Sequence, residues 1–203
     1  MSYRYPYENA SDEAKALLPQ GFKGEVFRLS DNWLTVVPVN ENPVKIMEIG
    51  AYHGANVCSL VKTYAKNKNS EIHCVDPWLD YTDYDEYKDV QKTNYSTFLN
   101  NITKMHTDDI NKIYIHRGLS ENIIPILDNE SFDIIFIDGN HLKKFVLEDA
   151  VLSFKKLKKE GWLIFDDLQC PDVQVAVEAF IKLYDNYFMH ISHNGGQLFL
   201  KKI

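Results

Sequence analysis

The chain is short of cysteine. Cys58, Cys74 and Cys170 are the three among 203 residues, far apart and odd in number. They form no Cys-x-x-Cys pair and no zinc-ligand spacing. That excludes a disulfide scaffold and points to small buried thiols in a reducing compartment. A surplus of basic residues is missing too: the formal charge is −7 at pH 7. Surfaces that hold phosphate backbones or anionic membranes need basic patches, so a general nucleic-acid or membrane-surface role is disfavoured. No apolar run approaches the roughly 18–20 residues that span a bilayer. The first residues, MSYRYPYENA, have no apolar stretch like that of a signal peptide. A cytoplasmic protein is the expectation. Internal repeats, low-complexity tracts and linkers rich in Gly, Pro or Ser are absent as well.

What is present is a rhythm that starts at Val44. Apolar, partly β-branched runs occur at 45–50, 71–76, 113–117, 132–138 and 161–166. Helix-like segments lie between and after them, at about 54–67, 84–106, 120–128, 142–159 and 172–185. Continuous apolar strands alternating with helices predict a parallel sheet covered on both faces. Two further strand candidates, 187–193 and 197–202, flank Asn194-Gly195-Gly196, a hairpin signal. The expected fold is α/β, a doubly wound seven-stranded sheet, mostly parallel with a C-terminal antiparallel hairpin. Residues 1–43 are less regular, with a short helix expected over Asp12–Leu18, and form an N-terminal extension that is a candidate substrate cap. Residues 44–203 form the main domain, with a lid-like insert over 79–106 that carries Tyr81, Tyr84, Tyr87 and Tyr95. Lys155, Lys156, Lys158 and Lys159 before Gly161 read as a solvated helix end.

Such sheets bind ligands beyond the carboxyl ends of their strands. The strand-ending residues are Glu48 and Gly50, Asp76, Gly118 and Ser120, Asp138, and Asp166 with Asp167. The first turn reads Glu48-Ile-Gly-Ala-Tyr-His-Gly54 and lacks the middle glycine of the dinucleotide fingerprint. A nucleoside cofactor without a pyrophosphate suits it better. Asp76 can accept both hydroxyls of a ribose, and Glu48 can face a cationic amino-acid moiety. Asp138 and Asp166 should end neighbouring strands about 4.8 Å apart. Carboxylates that close repel unless one is protonated or a cation binds. An all-oxygen set suits Mg²⁺ or a similar hard ion.

E-I-G-A-Y-H-G, V-D-P-W at 75–78 and G-L-S-E-N-I-I-P-I-L at 118–127, in that order, resemble class I S-adenosylmethionine-dependent methyltransferases. The likeness covers roughly residues 44–202 and is nearest to the catechol O-methyltransferase-like group and the macrocin-type sugar O-methyltransferases. It implies a Rossmann-like fold and S-adenosylmethionine as cofactor. Glu48, Gly50, Ala51, Tyr52 and Gly54 would line the methionine side. Asp76 would hold the ribose, Pro77 and Trp78 would border the adenine, and Gly118 and Ser120 would reach its edge, with Asp138 closing the cofactor site. Asp138, Asp166 and Asp167 would be the metal set, although the catechol enzymes carry Asn where Asp167 stands. His141 as the base, with Asp138 beside it, would be the catalytic residues, in the region where the catechol enzymes place a lysine. The acceptor would be a small molecule with a hydroxyl group, a sugar or polyol before a catechol or phenol. A homo-oligomer is compatible with all of this. Other readings stay open: a nicotinamide-dependent oxidoreductase, an RNA methyltransferase, and a non-catalytic cofactor-binding protein.

Overall fold

The computed structural model describes residues 5–80 and 88–203. The expectations for Tyr81, Tyr84 and Tyr87 fall outside those residues. In chain order the elements are β1 (Tyr5–Pro6), α1 (Asp12–Leu17), β2 (Glu25–Val26), β3 (Lys45–Ile49), α2 (Ala55–Lys62), β4 (Glu71–Asp76), α3 (Gln91–Ile102), α4 (Thr107–Ile110), β5 (Ile113–Arg117), α5 (Ser120–Ile123), β6 (Phe132–Ile137), α6 (Lys143–Lys156), β7 (Leu157–Phe165), α7 (Pro171–Tyr184), β8 (Phe188–Asn194) and β9 (Gln197–Lys202). A 3₁₀ turn over Ser30–Thr35 completes the N-terminal segment.

The main sheet has seven strands in the order β5-β4-β3-β6-β7-β9-β8. β3 pairs in parallel with β4 on one side and β6 on the other. Strand order therefore reverses beside β3, the place where a doubly wound sheet opens a crevice. β9 runs antiparallel to both β7 and β8. The hairpin turn between β8 and β9 places Gly195 at φ 58° and Gly196 at φ 86°. Two consecutive left-handed residues give the twist that a two-residue hairpin needs. Among the described residues, no helix is long and apolar enough to cross a membrane.

Two apolar layers sandwich the sheet. One face packs Met47, Ile135, Leu163 and Leu198 beneath α6 and α7. The other packs Ile46, Ile72 and Phe136 against α2 and against the N-terminal segment itself. Phe22, Val26, Leu29, Trp33 and Val37 are all buried in that second layer. Trp33 stacks on Phe136 at 5.0 Å and on Tyr64 at 5.8 Å. Full burial of each such side chain contributes about 1.5–3 kcal/mol. The N-terminal segment thus contributes buried side chains from Ala10 to Val37 to the same core as the sheet.

The lysine-rich segment departs from its expected form. α6 stops at Lys156, and Lys158 and Lys159 belong to β7. Phe132 pairs with Leu157 but Ile134 with Trp162, so residues 158–161 bulge opposite Asp133. Lys158 bonds Asp133 at 2.8 Å. Lys156 is buried and donates to the carbonyls of Pro125 and Leu127 and to Asn129. The carbonyls after α5 need a donor, and a buried lysine head supplies three N–H groups there.

Candidate active site

Three strand ends lie side by side. The Asp138 N–H donates to Ile49 O, and the Asp166 N–H to Ile137 O. Gly50, Asp138 and Asp166 are consequently adjacent at the carboxyl edge. Gly50 has φ 91°, and a Cβ there would lie 2.0 Å from the Asp138 carbonyl oxygen. The glycine is required by the neighbouring strand exit crossing over it.

Asp76 ties two loops together. Its carboxylate accepts the N–H of Tyr52 at 2.9 Å and that of Trp78 at 2.7 Å. Tyr52 (φ 46°) and Trp78 (φ 43°) are both held in the left-handed region. The Trp78 indole donates to the Tyr52 carbonyl at 2.9 Å. Burial pushes the Asp76 carboxyl up to about 6, with the N–H groups of Tyr52 and Trp78 opposing.

Two cavities flank the Gly50 turn and share Gly50, Gly139 and Asn140. One is a cleft lined by carboxylates, among them Glu48, Asp76, Asp138 and Asp167, with Arg28 and His141. Such a cleft favours a cationic ligand. The second is a mostly apolar slot formed by Ile49, Val75, Pro77, Leu119 and Phe145, with Ser120, Glu121, Asn140 and Asp149 among its polar groups. A flat heteroaromatic ring with a polar edge suits those walls. Asp149 is buried on α6, and burial pushes its carboxyl up to about 7 despite a hydrogen bond from Ser120.

Glu48 is buried at the floor of the cleft. Its pKa is driven well above the usual carboxylate range by burial first and by Asp138 second. Among the described residues, Glu48 Oε2 and Asn56 Nδ2 are buried with no hydrogen bond of good geometry, while the Asn56 amide is near enough to the Glu48 carboxyl to oppose the rise of its pKa. A buried acceptor and a buried donor left over in one wall match the ammonium and carboxylate of an amino-acid moiety.

At the Asp138 side of the cleft, His141 Nε2 lies 3.2 Å from Asp167 and 3.7 Å from Asp138. Asp167 is held at φ 54°, a strained position for a side-chain-bearing residue. Its N–H donates to Asp166 Oδ1 at 2.8 Å. Asp138, Asp166 and Asp167 each offer an oxygen, and these atoms lie within 4.8 Å of one another. Asp166 is buried, and burial, then Asp138 and Asp167, raise its pKa while Arg28 opposes. Arg28, from the N-terminal segment, hydrogen-bonds Asp166 and lies 3.8 Å from Asp167.

Of the residues expected at the site, Glu48, Gly50, Ala51, Tyr52, Asp76, Asp138, His141 and Asp167 line the cleft, and Pro77 and Ser120 line the slot. Asp166 stands just behind, bonded to Arg28. Gly54, Trp78 and Gly118 line neither cavity. Trp78 is buried against Tyr95 and Phe98 at 4.9 and 4.8 Å, so it supports the loop and does not face the slot. A Cβ on Gly54 would lie 2.8 Å from Phe98, and one on Gly118 3.0 Å from Ile123. Both glycines make room for neighbouring side chains. His53 has a positioning role: its ring accepts the Glu25 N–H at 3.1 Å and meets Asn94 at 3.1 Å. That pins the N-terminal segment to α3. Sequence reasoning missed Glu25, Phe27, Arg28, Asn56 and Asp149. The one available signal for Arg28 was its rarity, since the chain has three arginines.

A doubly wound sheet with a reversed C-terminal strand and an acidic cleft at its switch point defines a class I methyltransferase-type protein. A family described as Methyltransferase domain matches residues 47–168, and the chain belongs to it. The uncharacterized protein R132 of Acanthamoeba polyphaga mimivirus is 36% identical over 88 residues, 40% of this chain and 40% of that protein. The chain thus matches less than half the length of that curated relative. Among solved structures, cofactor-bound Rv0187 from MTB shares a TM-score of 0.63 at 11% identity, over 93% of this chain and 85% of that one. The O-methyltransferase NovP gives 0.55 at 14% identity, over 79% and 72%. The O-methyltransferase TomG from Streptomyces achromogenes, solved with SAM, gives 0.53 at 15% identity, over 77% and 70%. At such identities the likeness is one of fold.

Proposed function

We propose that the protein transfers a methyl group from S-adenosylmethionine to a hydroxyl of a small polar molecule, a sugar or polyol before a catechol or phenol. The observation that carries this reading is the placement of His141 and its two carboxylates in the same cleft as Glu48, Gly50 and Asp76. The residues fit the cofactor. The orphaned Glu48 Oε2 and Asn56 Nδ2 would take its amino-acid end, Asp76 its ribose, and the slot at Pro77 and Ser120 its adenine. When bound, the cofactor supplies an electrophilic methyl group on a sulfonium.

The chain's own groups do the rest. With Nε2–H held by Asp167, the other imidazole nitrogen of His141 is the basic one. It takes the acceptor's hydroxyl proton, and Asp167 stabilises the resulting imidazolium. The cleft walls fix the acceptor oxygen, and positioning of this kind can contribute about 7–11 kcal/mol. The Mg²⁺ expected from the sequence would find its oxygen donors in Asp138, Asp166 and Asp167. Arg28 already lies on two of the three, so the set does not fit an ion as it stands and no step is derived through one.

Calorimetric titration with S-adenosylhomocysteine, followed by methyl-transfer assays over sugars, polyols and catechols, tests the reading. Tight binding and transfer to a hydroxyl are expected. Absence of binding, or tight binding of NAD in its place, would overturn it.

A further inference from the structure

We infer that Arg28 is a built-in cation that takes the place of a divalent metal at the reaction end of the cleft. The guanidinium hydrogen-bonds Asp166, lies 3.8 Å from Asp167 and reaches Gln169 at 3.5 Å. These are two of the three carboxylates that could otherwise surround an ion. Asp166 is buried, so whichever cation satisfies it excludes the other from that oxygen.

Arg28 is mounted from several sides. Val26 and Leu29, on either side of it in the chain, are fully sunk in the core. The following turn is clamped to the hairpin. The side chains of Asn32 and Trp33 both donate to Gln197 Oε1, at 2.8 and 3.1 Å, and Asn194 donates to the Asn32 carbonyl at 2.9 Å. The hairpin also leaves space for the guanidinium. A Cβ on Gly196 would lie 3.1 Å from Arg28 Nη2 and 2.8 Å from Gln169 Oε1. On the other flank, His53 and Asn101 hold the segment just before it, at Glu25 and Lys23. An ion entering the cluster would have to displace an arginine fixed by core packing and by the β8–β9 turn. Arg is suited to this: it is always charged, and its planar fork meets carboxylates in a set geometry. In a cleft that already favours positive charge, Arg28 supplies one positive charge where Mg²⁺ would bring two. With every carboxylate ionised the cluster would be negative beside either cation, and more so beside Arg28.

The inference deepens the methyl-transfer reading and rests on it only for the consequence that transfer needs no added metal. Its test needs neither cofactor nor acceptor. Mn²⁺ is titrated into wild-type protein, Arg28→Met and Arg28→Lys at pH 7.5 (roughly, within the usual stability range) and followed by calorimetry and by the electron paramagnetic resonance of free Mn²⁺. Wild type and Arg28→Lys should bind weakly. Arg28→Met should bind at least about tenfold more tightly, since Asp166 and Asp167 then lose the guanidinium that competes with the ion. Asp166→Asn added to Arg28→Met should abolish the gain. Equal affinity of wild type and Arg28→Met, within about twofold, would overturn the proposal. So would submillimolar binding by wild type alone, which keeps the test decisive if Arg28→Met fails to fold. An enzyme stripped with EDTA should transfer methyl groups at an unchanged rate. If S-adenosylhomocysteine does not bind, the methyl-transfer reading falls while the Mn²⁺ result stands.

Discussion

The apolar slot and the acidic cleft meet at Gly50, yet they are assembled differently. The slot takes most of its walls from strand ends and the turns directly after them, Ile49, Val75, Pro77, Leu119 and Ser120, and closes against Phe145 and Asp149 of α6. The cleft gathers side chains from distant segments: Glu25 and Arg28, Glu48 and Asn56, Asp76, Gln91, Asp138 and His141, and Asp167. The slot is thus built by the sheet and the helices packed directly on it. The cleft depends on the N-terminal segment being pinned by His53, Asn101 and Gln197. Binding should therefore survive damage to the reaction end, whereas chemistry should not survive damage to either.

The largest separation should come from His141→Ala. Removing a general base lowers kcat by about 10²–10⁴-fold. Binding of S-adenosylhomocysteine should change little, because His141 stands at the Asp138 and Asp167 side of the cleft. Single-turnover methyl transfer alongside calorimetry checks both arms. An undiminished kcat would remove the base from the mechanism.

Gly50→Ala should break the comparison, since it damages both cavities at once. The added methyl meets the Asp138 carbonyl at 2.0 Å, and φ 91° is itself disfavoured for alanine. Neither strand exit can yield without moving the other. A loss on the order of 3 kcal/mol or more is expected in urea melts. A stability within about 0.5 kcal/mol of wild type, the range of an ordinary surface change, would contradict that account of the turn.

Much of the fold was legible because it was local and periodic. The apolar runs from Lys45 to Ile49 and from Phe132 to Ile137 form strands, and Asn194-Gly195-Gly196 does turn a hairpin. The glycines of the first turn were legible as special, but their reason was not. Gly50 answers to the Asp138 backbone and Gly54 to Phe98, both far away in the chain. The bulge at 158–161 was hidden because four lysines near a helix end look like any solvated face, and the buried carbonyls that recruit Lys156 lie near residue 126. Arg28 was hidden for a related reason. Nothing within a few residues of it hints at Asp166, and the contact exists only once Trp33 is seated against β6.

Glu48→Gln should sharpen the contrast from the opposite side. The variant keeps the shape but cannot become an anion. Burial and Asp138 keep the Glu48 carboxyl protonated more readily than usual when the cleft is empty, and an ammonium beside it would favour ionisation. The loss of S-adenosylhomocysteine affinity should be about 10–100-fold, near the upper end for a hydrogen bond to a charged group. The wild-type protein should release a proton on binding at mildly acidic pH, and Glu48→Gln should not. Calorimetry in buffers of different ionisation enthalpy reads that proton directly. Equal proton release from both proteins would assign it elsewhere.

The effect confined to the slot concerns Asp149. This residue is buried beneath Ser120, and burial pushes its carboxyl from the usual 3.8 up to about 7. A raised carboxyl pKa means the folded state holds the proton more tightly than the unfolded chain. Wild-type stability should therefore decline as pH rises from about 4 to about 7, with the full penalty present above that. Asp149→Asn carries no such charge. It forfeits part of the Ser120 hydrogen bond at every pH but avoids burying an anion. Relative to wild type, the variant should gain about 2–3 kcal/mol between pH 5 and pH 8. Urea melts at the two pH values measure that difference. His141 and Arg28 lie in the other cavity, so variants there should leave this pH dependence in place. A gap that stays constant with pH would mean that Asp149 is already ionised, with the slot open enough to solvate it. The base-like ligand proposed for the slot would then meet an anion and not a neutral donor.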